Sequence, residues 1–172
     1  INIAKENIIL NNLEHLKIEN YCGDIKNKRI LSEFNNSYDQ VIMNPPYFRK
    51  SSVVTSANKS NINSKYEEDI YAWFEAAYRK LKPQGYLNFI YRSENLNIAM
   101  ECLNNKWGDI RVYPLWPKKG KNSKLTIIQA KKDSKSSVKL LPGLVLHNND
   151  GTYSKACNNI LNNKSSIDFN KY

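Results

Sequence analysis

The chain has 172 residues, 41% of them hydrophobic, and 26 Lys and Arg against 16 Asp and Glu give a formal net charge of +10. That length supports one domain with a real core, and no apolar run approaches a membrane span or a secretory leader. Three scattered cysteines, Cys22, Cys102 and Cys157, lack metal-ligand spacing and fit a reducing, cytoplasmic compartment with no metal site. The charge suits a polyanion partner such as RNA, although heavy use of Lys, Asn and Ile is equally what an AT-rich genome would dictate.

Ile1, Ile3, Ile8, Ile9, Leu10 and Leu13 recur at near-helical spacing and predict a helix over roughly the first dozen residues. Ile18 to Cys22 is a short strand candidate, followed by Gly23-Asp24, a pair that by itself is most often a turn. Asp39 to Met43 is the kind of run that makes a buried parallel strand. Pro45 and Pro46 end it abruptly, because neither can donate to a ladder and each pushes the residue before it out of the helical region. Asn44 is thereby held extended at the carboxyl end of a strand, where open α/β sheets bind ligands. Tyr47 and Phe48 follow as two consecutive aromatics.

Residues 49–65 form a long polar loop placed to act as a substrate-ordered flap, with Lys50, Lys59 and Lys65 either meeting phosphates or simply solvated. Glu67-Glu68-Asp69 loads the start of a helix whose positive N-terminal dipole favours acids. Ile70, Trp73, Phe74, Ala77 and Leu81 form its buried stripe. Lys82-Pro83-Gln84-Gly85 turns the chain into a strand from Tyr86 to Tyr91, and a helix follows from about Leu96 to Asn104. Two further strands, Gly108 to Leu115 and Leu125 to Ala130, flank the basic loop Lys118-Lys119-Gly120-Lys121-Asn122-Ser123-Lys124. The loop concentrates flexible charge suited to phosphates, with no acid beside it, and solvated hairpin charge accounts for it equally. Beyond it, Leu141 to His147 and Asp150-Gly151-Thr152-Tyr153-Ser154 are irregular, and His147 has no Ser, Cys or carboxylate partner for catalysis. Asn162 to Tyr172 reads as a frayed polar tail.

The proline-flanked asparagine suits one chemistry. An exocyclic amine on a nucleobase is a poor nucleophile, because its lone pair is delocalised into the ring. Two acceptors aimed at its N–H bonds, the Asn44 side-chain oxygen and the Pro45 carbonyl, return electron density to the nitrogen. The Tyr47 ring stacks on the base and holds it in line with an electrophile. Taken alone, Pro45-Pro46 is also a turn that merely terminates a strand. Asn44-Pro45-Pro46-Tyr47 resembles the Asn-Pro-Pro-Tyr motif of the N6-adenine methyltransferases, which use S-adenosylmethionine and flip the target base out of its stack. The Leu146-His147 pair followed by Asp150-Gly151-Thr152-Tyr153-Ser154 is similar to the tail of one subfamily, the bacterial tRNA(Val) N6-adenine methyltransferases.

The resemblance covers nearly the whole chain and implies an α/β fold with a Rossmann-like class I methyltransferase sheet. It implies catalytic roles for Asn44, Pro45, Pro46 and Tyr47, and a second apolar wall at Phe48. Asp24, with Asn44, would contact the cofactor, and Asp24 would bond its adenine amino group. Glu67 would sit near the substrate, unless helix capping is its whole role. Lys118, Lys119, Lys121 and Lys124 would meet phosphates of tRNA. The family's Gly-rich cofactor loop and ribose-holding acid would precede the first helix and are not in the sequence. The resemblance therefore implies an N-terminally truncated sheet lacking its first two strands, with a partial methyltransferase domain over 1–161 and a polar tail over 162–172. Binding of S-adenosylmethionine by this chain alone is expected to be weak or nil, with a separate N-terminal polypeptide as a candidate partner beside tRNA. The expected function is N6-adenine methylation of tRNA by a C-terminal fragment or one half of a split enzyme, inactive alone. Two other readings stand beside it, a non-catalytic RNA-binding remnant and an unrelated α/β interaction domain.

Overall fold

Alternation of apolar and polar side chains builds one six-stranded sheet. The computed structural model describes residues 1–46 and 59–171, and the side chains of 59–69 lie outside that description. The long strands are β1 (Tyr38–Met43), β2 (Leu81–Arg92), β3 (Trp107–Trp116) and β4 (Leu125–Lys132). Two-residue strands β5 (Lys139–Leu140) and β6 (Leu144–Val145) complete it. The order is β1-β2-β4-β3-β5, with β6 also on β3. β1 and β2 are parallel, β4 runs antiparallel to both β2 and β3, and β5 and β6 run parallel to β3. Consequently β1, β2 and β3 all point the same way.

Four helices accompany the sheet: α1 (Asn2–Leu10), α2 (Lys59–Lys80), α3 (Leu96–Leu103) and α4 (Lys155–Leu161). The crossover from β1 to β2 runs through α2, as a parallel pair requires. Every second residue of β2, Leu87, Phe89 and Tyr91, is buried in a core shared with Ile70, Phe74 and Ala77 of α2 and Ala99, Cys102 and Leu103 of α3. Phe74 meets Phe89 edge to face at 5.0 Å, an arrangement that adds about 0.5–1.5 kcal/mol beyond area burial. The opposite face is covered at the β3 and β4 side, where Tyr113, Leu115 and Leu141 pack with Ile167 and Phe169. At β1 that face is open, and Ile42 is 83% exposed.

The predicted turn at 82–85 takes the form of a bulge inside β2, since Leu81 pairs with Tyr38 and Tyr86 with Gln40. Lys132, at the end of β4, is buried beside this junction. Its ammonium donates to Asn36 Oδ1 at 2.8 Å, Tyr78 O at 2.9 Å and Leu81 O at 2.7 Å. Burial pulls its pKa below the usual lysine range, while three acceptors and the Tyr78 ring 4.3 Å away keep the charge tolerable.

Several expectations are corrected. Ile18 to Cys22 forms no strand, because no described strand lies beside it to complete a ladder. α2 begins at Lys59, so 59–65 is helix rather than loop, and Glu67 lies more than two turns inside it, out of reach of the N-terminal dipole. α1 forms as predicted, yet none of its residues is buried, and its apolar stripe is left facing solvent. The tail is not frayed: the Phe169 ring sits 5.8 Å from Tyr113, and Asn170 Oδ1 accepts from Arg111 at 3.0 Å. α4 was not anticipated in the sequence, although Ser154 caps it by accepting from the Cys157 N–H at 3.1 Å. Among the described residues no helix is long and apolar enough to cross a membrane.

Candidate functional site at the carboxyl ends of the strands

The common direction of β1, β2 and β3 gathers their carboxyl ends on one edge. Asn44 caps β1 there and is exposed, while Pro45 behind it is fully buried. The buried ring anchors the segment just after β1 and leaves Asn44 exposed. Tyr47 and Phe48, together with Lys50, lie outside the described residues.

The lysine loop stands on the same edge. Ser93, just past β2, lies with its hydroxyl 2.9 Å from that of Ser123 and 2.8 Å from that of Thr126. Its N–H donates to Lys124 O at 3.1 Å. The loop after β3 is therefore pinned across the end of β2, the strand next to Asn44. Lys119, Lys121 and Lys124 are exposed, and among the described residues none of them makes an ion pair. Lys118 departs from the expectation of a loop without a nearby acid. Its ammonium donates to Asn149 O at 3.0 Å and lies close enough to Asp150 to help lower that carboxyl's pKa, which hydrogen bonds from Thr152 depress more strongly.

A cavity of about 270 Å³ runs along β1, between Val41–Met43, the Tyr21 and Asp24 region, and Trp73 and Arg79 of α2. β1 pairs with β2 on one side only among the described residues, and the cavity lies along its other edge. Asp24 faces it while its Oδ1 accepts from the Lys26 N–H at 2.9 Å, closing an Asx turn. Among the described residues, Arg79 Nε is buried there without a hydrogen-bond partner. An acceptor on one wall, an unsatisfied donor on another and two aromatic rings fit the nucleoside part of S-adenosylmethionine, in a volume just under the range of about 300–1,000 Å³ usual for such sites. Asn44 is not on the cavity wall. Asp24 and β1 are thus brought to one cavity, but Asp24 and Asn44 do not face each other across it.

One feature at this edge escaped the sequence. The His147 and Tyr153 rings stack at 4.9 Å and 23°, bridged as an antiparallel pair around the Asp150-Gly151 turn. The signal was two aromatics flanking an Asp-Gly turn, which makes a tight hairpin and places the rings side by side.

A parallel β1-α2-β2 crossover and a closing antiparallel hairpin make this a mixed α/β domain with a methyltransferase-like fold. Residues 1–107 match the Eco57I restriction-modification methylase family, and the chain belongs to that family. Among solved structures, a predicted O-methyltransferase of Agrobacterium tumefaciens superposes with a TM-score of 0.76 at 17% identity, over 96% of this chain and 74% of that one. The PvuII cytosine-N4-specific DNA methyltransferase gives a TM-score of 0.41 at 11% identity, over 86% of this chain and 63% of that one. No curated protein matches the chain in sequence.

Proposed function

We propose that this chain is the substrate-holding part of an S-adenosylmethionine-dependent N6-adenine methyltransferase acting on tRNA. The observation that carries the reading is the exposed Asn44 beside buried Pro45 at the end of β1, on the sheet edge shared with the lysine loop. In this reading the target adenine leaves its stack, and its N6 donates one N–H to Asn44 Oδ1 and the other to the Pro45 carbonyl. Both acceptors favour the positive charge that develops on nitrogen as the new bond forms. Tyr47 holds the base face, with Phe48 as a second wall. The cofactor, when bound, supplies a methyl group already activated on a sulfonium sulfur. Asp24 and the unsatisfied Arg79 Nε would hold its nucleoside part, a thin set of polar contacts. Micromolar calorimetric affinity of this chain alone would overturn the expectation of weak cofactor binding and, with it, the need for a separate N-terminal polypeptide.

The decisive test is formation of N6-methyladenine in tRNA by the chain, alone or with such a polypeptide supplied. Asn44→Ala should lower the rate by a factor on the order of a hundred or more while leaving RNA binding near normal. Unchanged turnover would reduce the motif to a turn. The match to a restriction-modification methylase family favours a second reading, with DNA as substrate, and the same assay on duplex DNA separates the two.

A further inference from the structure

We propose that Tyr153, backed by His147, is a base-stacking platform for unpaired RNA, with the lysine loop tracking the adjoining phosphates. The inference rests on the RNA substrate proposed above and adds a binding element outside the segment matched by the family, residues 1–107. Tyr153 is 53% exposed, yet one face of its ring lies on His147. The outer face is thereby presented in a fixed orientation, which is what a stacking base requires and what a freely rotating tyrosine lacks.

The turn beneath is braced throughout. Asp150 Oδ1 accepts from the Thr152 N–H at 2.9 Å and from its hydroxyl at 2.7 Å. Asn148 Nδ2 donates to Thr152 Oγ1 at 3.0 Å and to Tyr153 O at 3.2 Å. Gly151 supplies the positive φ of 92° that the tight reversal needs. So much ordering for an exposed ring with no core to join points to recognition rather than packing.

Charge and position supply the rest. Lys118 ties the hairpin to the basic loop through Asn149 O, and Lys155, exposed, follows two residues after the ring. The hairpin leaves β6, which pairs with Leu115 and Trp116 at the carboxyl end of β3. It therefore stands on the same edge as Asn44, four strand spacings or roughly 19 Å across the sheet from β1 to β6. A single strand crossing that edge would meet the aromatic face at one end, lysines in the middle and Asn44 at the other. Base stacking on aromatics combined with a cationic track is the general chemistry of single-strand binding, and a duplex would hide the base faces that Tyr153 offers.

The test uses the whole chain without cofactor and a short single-stranded RNA carrying 2-aminopurine, whose emission falls on stacking. Tyr153→Ala should weaken binding about tenfold and abolish the quench. Tyr153→Phe should preserve both. Tyr153→Leu, which keeps bulk on His147 without an aromatic face, should lose the quench. Replacing Lys119, Lys121 and Lys124 by Gln should flatten the salt dependence by about 0.7 per lost phosphate contact while leaving the quench at saturation. Unchanged affinity and quench in Tyr153→Ala, equal binding of duplex RNA, tighter binding of single-stranded DNA, or no RNA binding by the unaltered chain would each overturn the proposal. A Tyr153-dependent complex that forms no N6-methyladenine even with cofactor and an N-terminal polypeptide supplied would retain the platform and remove the methyltransferase reading. Methylation indifferent to Tyr153 would do the reverse.

Discussion

Residues 1–37 and residues 81–171 belong to one chain but are held by different forces. The later region packs both faces of β3 and β4, with aromatic and aliphatic side chains excluded from water on each. The earlier region contributes no buried apolar residue. Polar tethers attach it instead: Lys80 donates to Ile30 O, Leu31 O and Asn35 Oδ1, and Lys132 to Asn36 Oδ1. Because cooperative stability follows buried apolar contact, the two regions should open with very different free energies. The candidate site lies at their meeting, on a strand whose one face joins the core and whose other face does not.

The comparison can be broken from the core side first. Phe89→Ala removes a 2%-exposed ring from the centre of the sheet and should cost about 3–5 kcal/mol in denaturant unfolding. Lys132→Met tests the tethers. It leaves Tyr78 O, Leu81 O and Asn36 Oδ1 without their donor, an expected loss of about 1–3 kcal/mol, with faster hydrogen exchange at residues 35–37. Were exchange there unaltered, the tether would be ornamental. The smallest effects belong to the exposed apolar positions. Ile3→Ala and Ile42→Thr should each change stability by less than about 0.5 kcal/mol, and a cost for Ile3→Ala approaching that of Phe89→Ala would erase the distinction between the regions.

What could be read from the residues follows the same division. Val41-Ile42-Met43, the Tyr86 to Tyr91 alternation and the Leu125 to Ala130 run declare strands because each meets a partner strand that its own pattern anticipates. Ile18 to Cys22 has the local look of a strand, but a ladder needs a neighbour, and alternation says nothing about one. The start of α2 was hidden because Lys59 to Lys65 is polar and carries none of the apolar stripe that marks the helix further on. Ile167 and Phe169 show the limit of judging a terminus by its charge, since two apolar residues suffice to dock it where a sheet face stands open. The position of Asn44 at the end of β1 was legible because two prolines leave few conformations. The Tyr153 platform was not, because stacking depends on a turn whose hydrogen bonds no periodicity reports.

The path from β1 to β2 passes through residues 44–80, whereas β3 reaches β4 through residues 117–124 alone. Closing the shorter loop costs less chain entropy, and the longer parallel pairing must form against the greater cost. The hairpin of β3 and β4 is therefore the natural early structure, and β1 docks onto an assembly already begun. During synthesis the order of appearance is the reverse, since β1 leaves the ribosome before any strand it can pair with has been made. The asparagine lip is translated early and completed late, and until β2 arrives its apolar strand must wait in water.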